Sequence, residues 1–224
     1  MLQNIQGNDY VGWNYHLFKQ QLSIPQYNYR LGFWLKKHKS WGFDLSFDHT
    51  KFQLTPGQYA HWVGTVGGRH IDTNLTIVES YFHWKLNNGA NFFCFNVMKR
   101  FYLIGTKNGY FKLYNIYKLG VGPTVPHVEN TLMGVPNDAH FQLGGYNFGF
   151  EGNYRLEIFN YFYLDFAQKI DYARYFGLRV YKGTASQNFW CYELISTLGF
   201  MIPYKPFWAK KQVTPQTTAT SISN

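Results

Sequence analysis

From Trp41 to Asp48 every second residue is large and apolar. Trp41, Phe43, Leu45 and Phe47 share one face, and Gly42, Asp44, Ser46 and Asp48 share the other. A period of two marks an extended strand with one oily and one polar side. The segment before it sets Tyr29, Leu31, Phe33 and Leu35 against Asn28, Arg30 and Gly32, with the polar turn Lys36-Lys37-His38-Lys39-Ser40 between the two. Further on, Tyr146, Phe148, Phe150 and Tyr154 oppose Asn147, Gly149, Glu151 and Asn153. Ile158, Phe162, Leu164 and Phe166 then oppose Tyr161, Tyr163, Asp165 and Lys169. No window of similar length favours a 3.6-residue period, so the expectation is an all-β chain. The longest apolar runs, near 92–98 and 198–202, fall well short of the roughly 20 residues a spanning helix needs.

Eight strands are expected, near 9–21, 28–38, 41–53, 73–86, 110–122, 141–154, 158–171 and 190–204. Short connections follow the second and sixth, and longer ones the third, fifth and seventh. The piece 87–109 is read as a long, strongly apolar connection. Alternating short turns and long loops suit an eight-stranded antiparallel up-and-down transmembrane β-barrel. On that reading residues 1–8 are an N-terminal segment, 9–204 the barrel and 205–224 a polar tail. A soluble sandwich or a lipocalin-like barrel also alternates, so composition has to arbitrate. Only 15% of the 224 residues are charged, and 7 Trp, 19 Tyr and 21 Phe stand against 12 acids. Soluble domains carry nearer a quarter charged residues, and disordered chains lack aromatics. The polar face mixes Gly, Ser and Asn with isolated acids, unlike the Lys/Glu surface of a soluble sheet. The membrane form is therefore expected.

The formal net charge is +9. The basic residues are scattered, and no recognition helix or aromatic RNA-binding motif accompanies them, so no nucleic acid partner is expected. An anionic lipid surface fits the charge. Two cysteines, Cys94 and Cys191, are too few for a disulfide scaffold or a four-cysteine zinc site. Met1 to Ile5 shows no basic and apolar leader pattern, so no signal peptide is expected there.

Ionisable residues gather where strands meet the long loops. Asp48 and His49 end one strand, His70 and Asp72 precede another, and His127 and Glu129 follow Pro123 and Pro126. Residues two apart on an extended chain point the same way. His127 and Glu129 thus form a pair able to hold a divalent metal ion or to exchange protons. The ordinary alternative is that loop histidines are simply solvated. Glu79, Glu151, Asp165 and Lys169 are expected to point inward and to pair with other charges.

Several segments resemble the lipid A oxidase-like outer-membrane β-barrels. These are Tyr29-Arg30-Leu31-Gly32, the run from Trp41 to Lys51, Leu119-Gly120-Val121-Gly122, and Val125-Pro126-His127-Val128-Glu129. The order continues through Gly144-Gly145 and Asp165-Phe166-Ala167-Gln168-Lys169. The resemblance implies a barrel in a Gram-negative, hence bacterial, outer membrane, with lipopolysaccharide as its neighbour. It also implies O2-dependent oxidation of lipid A in some members, while many relatives have no assigned activity. His127, Glu129, His49, Asp48 and Asp72 are the catalytic candidates on that reading, with His127 and Glu129 as metal ligands. The alternative is a non-catalytic structural or anchoring barrel that docks a protein partner through the aromatic 90–104 piece, from Phe92 to Tyr102.

Overall fold

The computed structural model describes residues 1–3, 5–8, 26–66 and 68–202. The strand expected over 9–21 and the tail 205–224 lie outside the described residues. Every regular element described is a strand. In chain order they are β1 (Leu2–Gln3), β2 (Gly7–Asn8), β3 (Asn28–Trp34), β4 (Trp41–Asp48), β5 (Phe52–Leu54), β6 (Tyr59–Val66), β7 (Arg69–Thr76) and β8 (Phe82–Leu86). There follow β9 (Phe92–Gly105), β10 (Phe111–Thr124), β11 (His127–Leu132), β12 (Val135–Pro136), β13 (His140–Phe141), β14 (Gly145–Ile158), β15 (Phe162–Arg179) and β16 (Thr184–Phe200).

Seven of these form one antiparallel sheet in the order β3-β4-β9-β10-β14-β15-β16. Each strand lies beside its neighbour along the chain, apart from the small strands inserted after β4 and β10. The sheet curls until its two edges approach. Thr197 of β16 donates from Oγ1 to Oδ1 of Asn28 in β3 at 2.8 Å. The ladder registers run from Asn28 through Asp48, Phe92, Thr124, Gly145 and Tyr175 to Gln187. Asn28 therefore meets β16 ten residues beyond its own level, at Thr197 and not at Gln187. Among the described residues β3 and β16 share no ladder, so this side-chain bond links two open edges of the curled sheet.

The curled sheet is polar inside and apolar outside. On β14, Asn147, Glu151, Asn153, Arg155 and Glu157 are buried, while Tyr146, Phe148, Phe150 and Tyr154 are exposed. On β15, Asp165, Lys169 and Asp171 are buried, and Phe162, Leu164, Phe166 and Ile170 are exposed. The alternation expected over 28–34 and 41–48 holds with the same sense. Along one level the outward residues are Phe43, Val97, Leu119, Phe150, Ile170 and Tyr192, each opposite the next on the neighbouring strand.

One end of the sheet is closed by short turns at 35–40, 106–110 and 159–161. The other end carries a folded cap built from 49–91 and 125–144 together with the N-terminal strands. Its larger sheet runs β12-β11-β8-β5-β2, with β13 also on β11, and its smaller one β1-β6-β7. The cap has a conventional apolar core of Phe52, Leu54, Ile77, Trp84, Leu86 and Val128. Phe92, Ala173, Tyr175 and Leu178 of the long strands complete it. Tyr175 donates its hydroxyl to the carbonyl of Ala90 at 3.0 Å and stacks on Phe189. The upper ends of β9, β15 and β16 thus leave the polar interior and enter an oily one.

Four expectations need correction. The 87–109 piece is no insertion: most of it is β9, a fourteen-residue strand paired with β4 on one side and β10 on the other. It escaped the period-two test because Phe92, Cys94 and Met98 are apolar on its inner face as well. The expected strand 73–86 is two elements, β7 and β8, separated by a turn at 77–81. The long loop expected after the seventh strand is a four-residue turn, 180–183, because β15 and β16 both run on into the cap. Glu79 lies exposed in the cap, 3.2 Å from His83, and does not point into the curled sheet.

Candidate functional site

The interior of the curled sheet holds a continuous charge network. Lys118, Glu151, Lys169 and Glu193 lie directly opposite one another on β10, β14, β15 and β16. Cations and anions therefore alternate across four neighbouring strands. Lys118 reaches Asp44 and Glu151, both at 3.0 Å, and Lys169 reaches Asp48 at 2.8 Å and Asp171 at 2.9 Å. Arg30 crosses from β3 to Asp48 at 2.6 Å and Glu151 at 3.6 Å, tying the first strand to the middle of the sheet. Asn96 donates to Asp44 at 2.6 Å and to Ser46 at 3.0 Å. Nearer the short turns, Arg155 grips Asp165 through two bonds of 2.8 and 2.7 Å and lies over the Tyr163 ring. Arg100 pairs there with Glu157 at 3.3 Å.

These groups crowd the middle of the interior. At Gly149 an added Cβ would sit 2.3 Å from Asp171 Oδ1 and 2.9 Å from Lys169 Cε, so glycine makes room for the pair. Buried charges persist only when paired and hydrogen-bonded, and this arrangement supplies partners on several strands at once. It ties β3, β4, β10, β14 and β15 together across the curl.

A cavity of about 740 Å³ lies where β3 and β16 approach, lined among others by Asp48, His49, Lys51, Asn188, Cys191 and Glu193. A second, of about 730 Å³, lies nearer the short turns beside Arg30, Trp34, Met98, Arg155, Tyr163 and Phe200.

The candidates drawn from the sequence do not converge on one centre. Asp48 is buried in the charge network, held by Arg30 and Lys169. His49 follows it on the cap side, stacked on Tyr27 with ring centroids 4.5 Å apart and bonded from Nδ1 to Asn91 Oδ1 at 2.8 Å. Burial holds the His49 imidazole below the ordinary histidine range; the Asn91 bond opposes this and Lys51 adds to it. His127 and Glu129 stand on β11 and share a face, as their spacing predicts. His127 packs edge-on against Phe141, and its buried Nδ1 has no hydrogen-bond partner among the described residues. Glu129 lies 3.8 Å from Lys85. Asp72 is apart from all of these on β7, 3.1 Å from His61, and His70 is exposed on the same strand.

Asn91 links two of them. It adopts a left-handed φ of 49°, accepts at Oδ1 from His49 Nδ1, and donates from Nδ2 to the carbonyl of Val125 at 2.8 Å. The neighbouring Gly89 carbonyl accepts from the backbone of His127. The turn before β9 thereby holds both histidine segments in place. Among the described residues no group of three or more His, Cys, Asp and Glu side chains is arranged to hold a metal ion. Sequence reasoning missed Arg30, Lys118, Asp171 and Glu193; all sit on the polar side of an alternating run, which is the signal that could have found them. Neither cysteine is in a disulfide, and Cys94 is buried with its thiol 2.6 Å from Asn147 Oδ1.

Compared with protein-family models, with curated proteins and with solved structures, the chain matches none. What the coordinates define is a class: an all-β protein whose principal antiparallel sheet is curled, polar within and aromatic without.

Proposed function

We propose that this chain is an outer-membrane β-barrel, closed by eight strands, that anchors its folded cap at the membrane surface and conducts nothing. The observation that carries the reading is the reversed polarity of the sheet: Phe43, Leu119, Phe150, Phe166 and Leu198 face outward while Lys118, Glu151 and Lys169 are buried. In water the reverse arrangement is stable; in hydrocarbon this one is. The outward row on β14 from Tyr146 to Ile158 spans twelve residue steps. At about 3.3 Å per residue and a tilt of about 40°, that is roughly 30 Å of height, close to the thickness of a bilayer's hydrocarbon core. A lumen crossed by ion pairs suits anchoring better than transport.

The test is heat-modifiable electrophoretic mobility combined with amphiphile dependence. The proposed barrel migrates differently before and after boiling and needs detergent or lipid to stay dispersed. A chain that remains folded in plain buffer removes the proposal. A second reading, modification of lipid A at the cap end, draws on the shared face of His127 and Glu129 at the height where a headgroup would lie. Mass spectrometry of lipid A from cells with and without the protein decides it; an unchanged profile ends that reading.

A further inference from the structure

The two ends of the molecule differ in charge. At the short-turn end, Lys36, Lys37, His38 and Lys39 are exposed in one turn and Lys107 in the next. Lys99 and Lys112 flank them. The acids at that end, Asp44, Glu157 and Asp165, are buried and committed to Lys118, Arg100 and Arg155. At the cap end the balance is mixed: Asp72, Glu79, Glu129 and Asp138 stand among Arg69, Lys85, Arg179 and Lys182. The positive field is therefore concentrated at one rim.

That rim also carries rings suited to the boundary between hydrocarbon and water. Trp41, Tyr102, Tyr110 and Tyr161 are exposed there, and Trp and Tyr favour that depth. Lys99 lies along them, its ammonium 4.8 Å from the Trp41 ring centre and 5.3 Å from that of Phe101. A lysine stem laid on an aromatic belt lets its charge reach the headgroup layer. Lys112 is steadied by Asn160 of the neighbouring turn.

Resting on the membrane reading above, we infer that this rim binds the phosphate headgroups of anionic glycerophospholipids in the leaflet at the short-turn end. A surface lysine near such a leaflet favours it by on the order of fivefold. Lys37, Lys39, Lys99, Lys107 and Lys112 act together there, with Trp41 and Tyr102 setting the depth.

The full chain, folded in a zwitterionic detergent, is titrated with phosphatidylglycerol or with phosphatidylcholine, and retained lipid is counted by native mass spectrometry. Phosphatidylglycerol is expected to be retained at least about tenfold more tightly at low salt. The preference should collapse when salt shortens the screening distance to about 3 Å, near 1 M. The K37Q/K39Q/K107Q variant should lose it, and K85Q/K182Q at the cap end should keep it. Equal retention of the two lipids by a folded, heat-modifiable protein overturns the inference and leaves the barrel standing. So does an unchanged preference in the triple variant. A chain that folds without any amphiphile overturns both together.

Discussion

Replacing Leu119 by arginine tests the orientation of the sheet at a single position. Leu119 lies near the middle of β10, opposite Val97 on one side and Phe150 on the other, and half of its surface is exposed. In a bilayer that exposed half touches lipid. Losing it costs about 1 kcal/mol, and placing a guanidinium near the midplane costs about 2–4 kcal/mol more. L119R is therefore expected to lose roughly 3–5 kcal/mol, a shift of a hundredfold or more in the folding equilibrium at 1.4 kcal/mol per tenfold. Urea titration of protein folded into vesicles, followed by tryptophan fluorescence, measures this. Thr73→Arg on the exposed face of the cap is the control, expected within about 0.5 kcal/mol of wild type. If L119R matches that control, the outward face does not meet lipid and the reasoning fails.

The interior makes its own predictions. Lys118→Met leaves Asp44 and Glu151 without the ammonium that lies 3.0 Å from each; a loss of about 3–5 kcal/mol is expected, and adding Glu151→Gln should recover part of it in the same urea assay. Gly149→Ala forces Asp171 and Lys169 apart and should cost about 1–3 kcal/mol, visible as a lowered urea midpoint. Tyr175→Phe removes one buried hydrogen bond to Ala90, about 1 kcal/mol, and should speed amide exchange in the cap. Burial, with Lys85 beside it, also lowers His83 from the ordinary value of 6.5, against the pull of Glu79 and Glu129. The unfolded chain then binds protons more readily than the folded one, so the cap should weaken as pH falls through about 6.5. His83→Gln should flatten that slope in amide exchange of β8; an unchanged slope would assign it to another group.

Much of the sheet was legible because a curled sheet with unlike faces writes itself as alternation. Trp41 to Asp48 and Tyr146 to Tyr154 could be assigned to faces residue by residue, and Glu151, Asp165 and Lys169 were placed inward correctly. β9 was not legible. Its inner residues Phe92, Cys94 and Met98 are themselves apolar, so both faces read as oily and the period vanished. The ends of β15 and β16 failed similarly, since Ala173, Tyr175 and Phe189 face that same core. The network was half visible: alternation put Asp44 and Asp48 on the polar side. That Arg30 reaches Asp48 and Glu151 depends on curvature, and that Lys118, Glu151, Lys169 and Glu193 share a level depends on register, neither of which a single sequence carries. The same gap hid that Asp48, read from the sequence as a rim candidate, is held by Arg30 and Lys169.

The account rests on which side of β14 meets lipid. Spin labels placed singly at residues 146 to 154, in a C94S/C191S background folded into vesicles, would report this through collision with oxygen, which concentrates in hydrocarbon, and with a water-soluble nickel chelate. The account predicts a period of two, with high oxygen access at 146, 148, 150 and 154 and low access to both reagents at 147, 149, 151 and 153. Chelate access at the even positions, or no alternation at all, would contradict it.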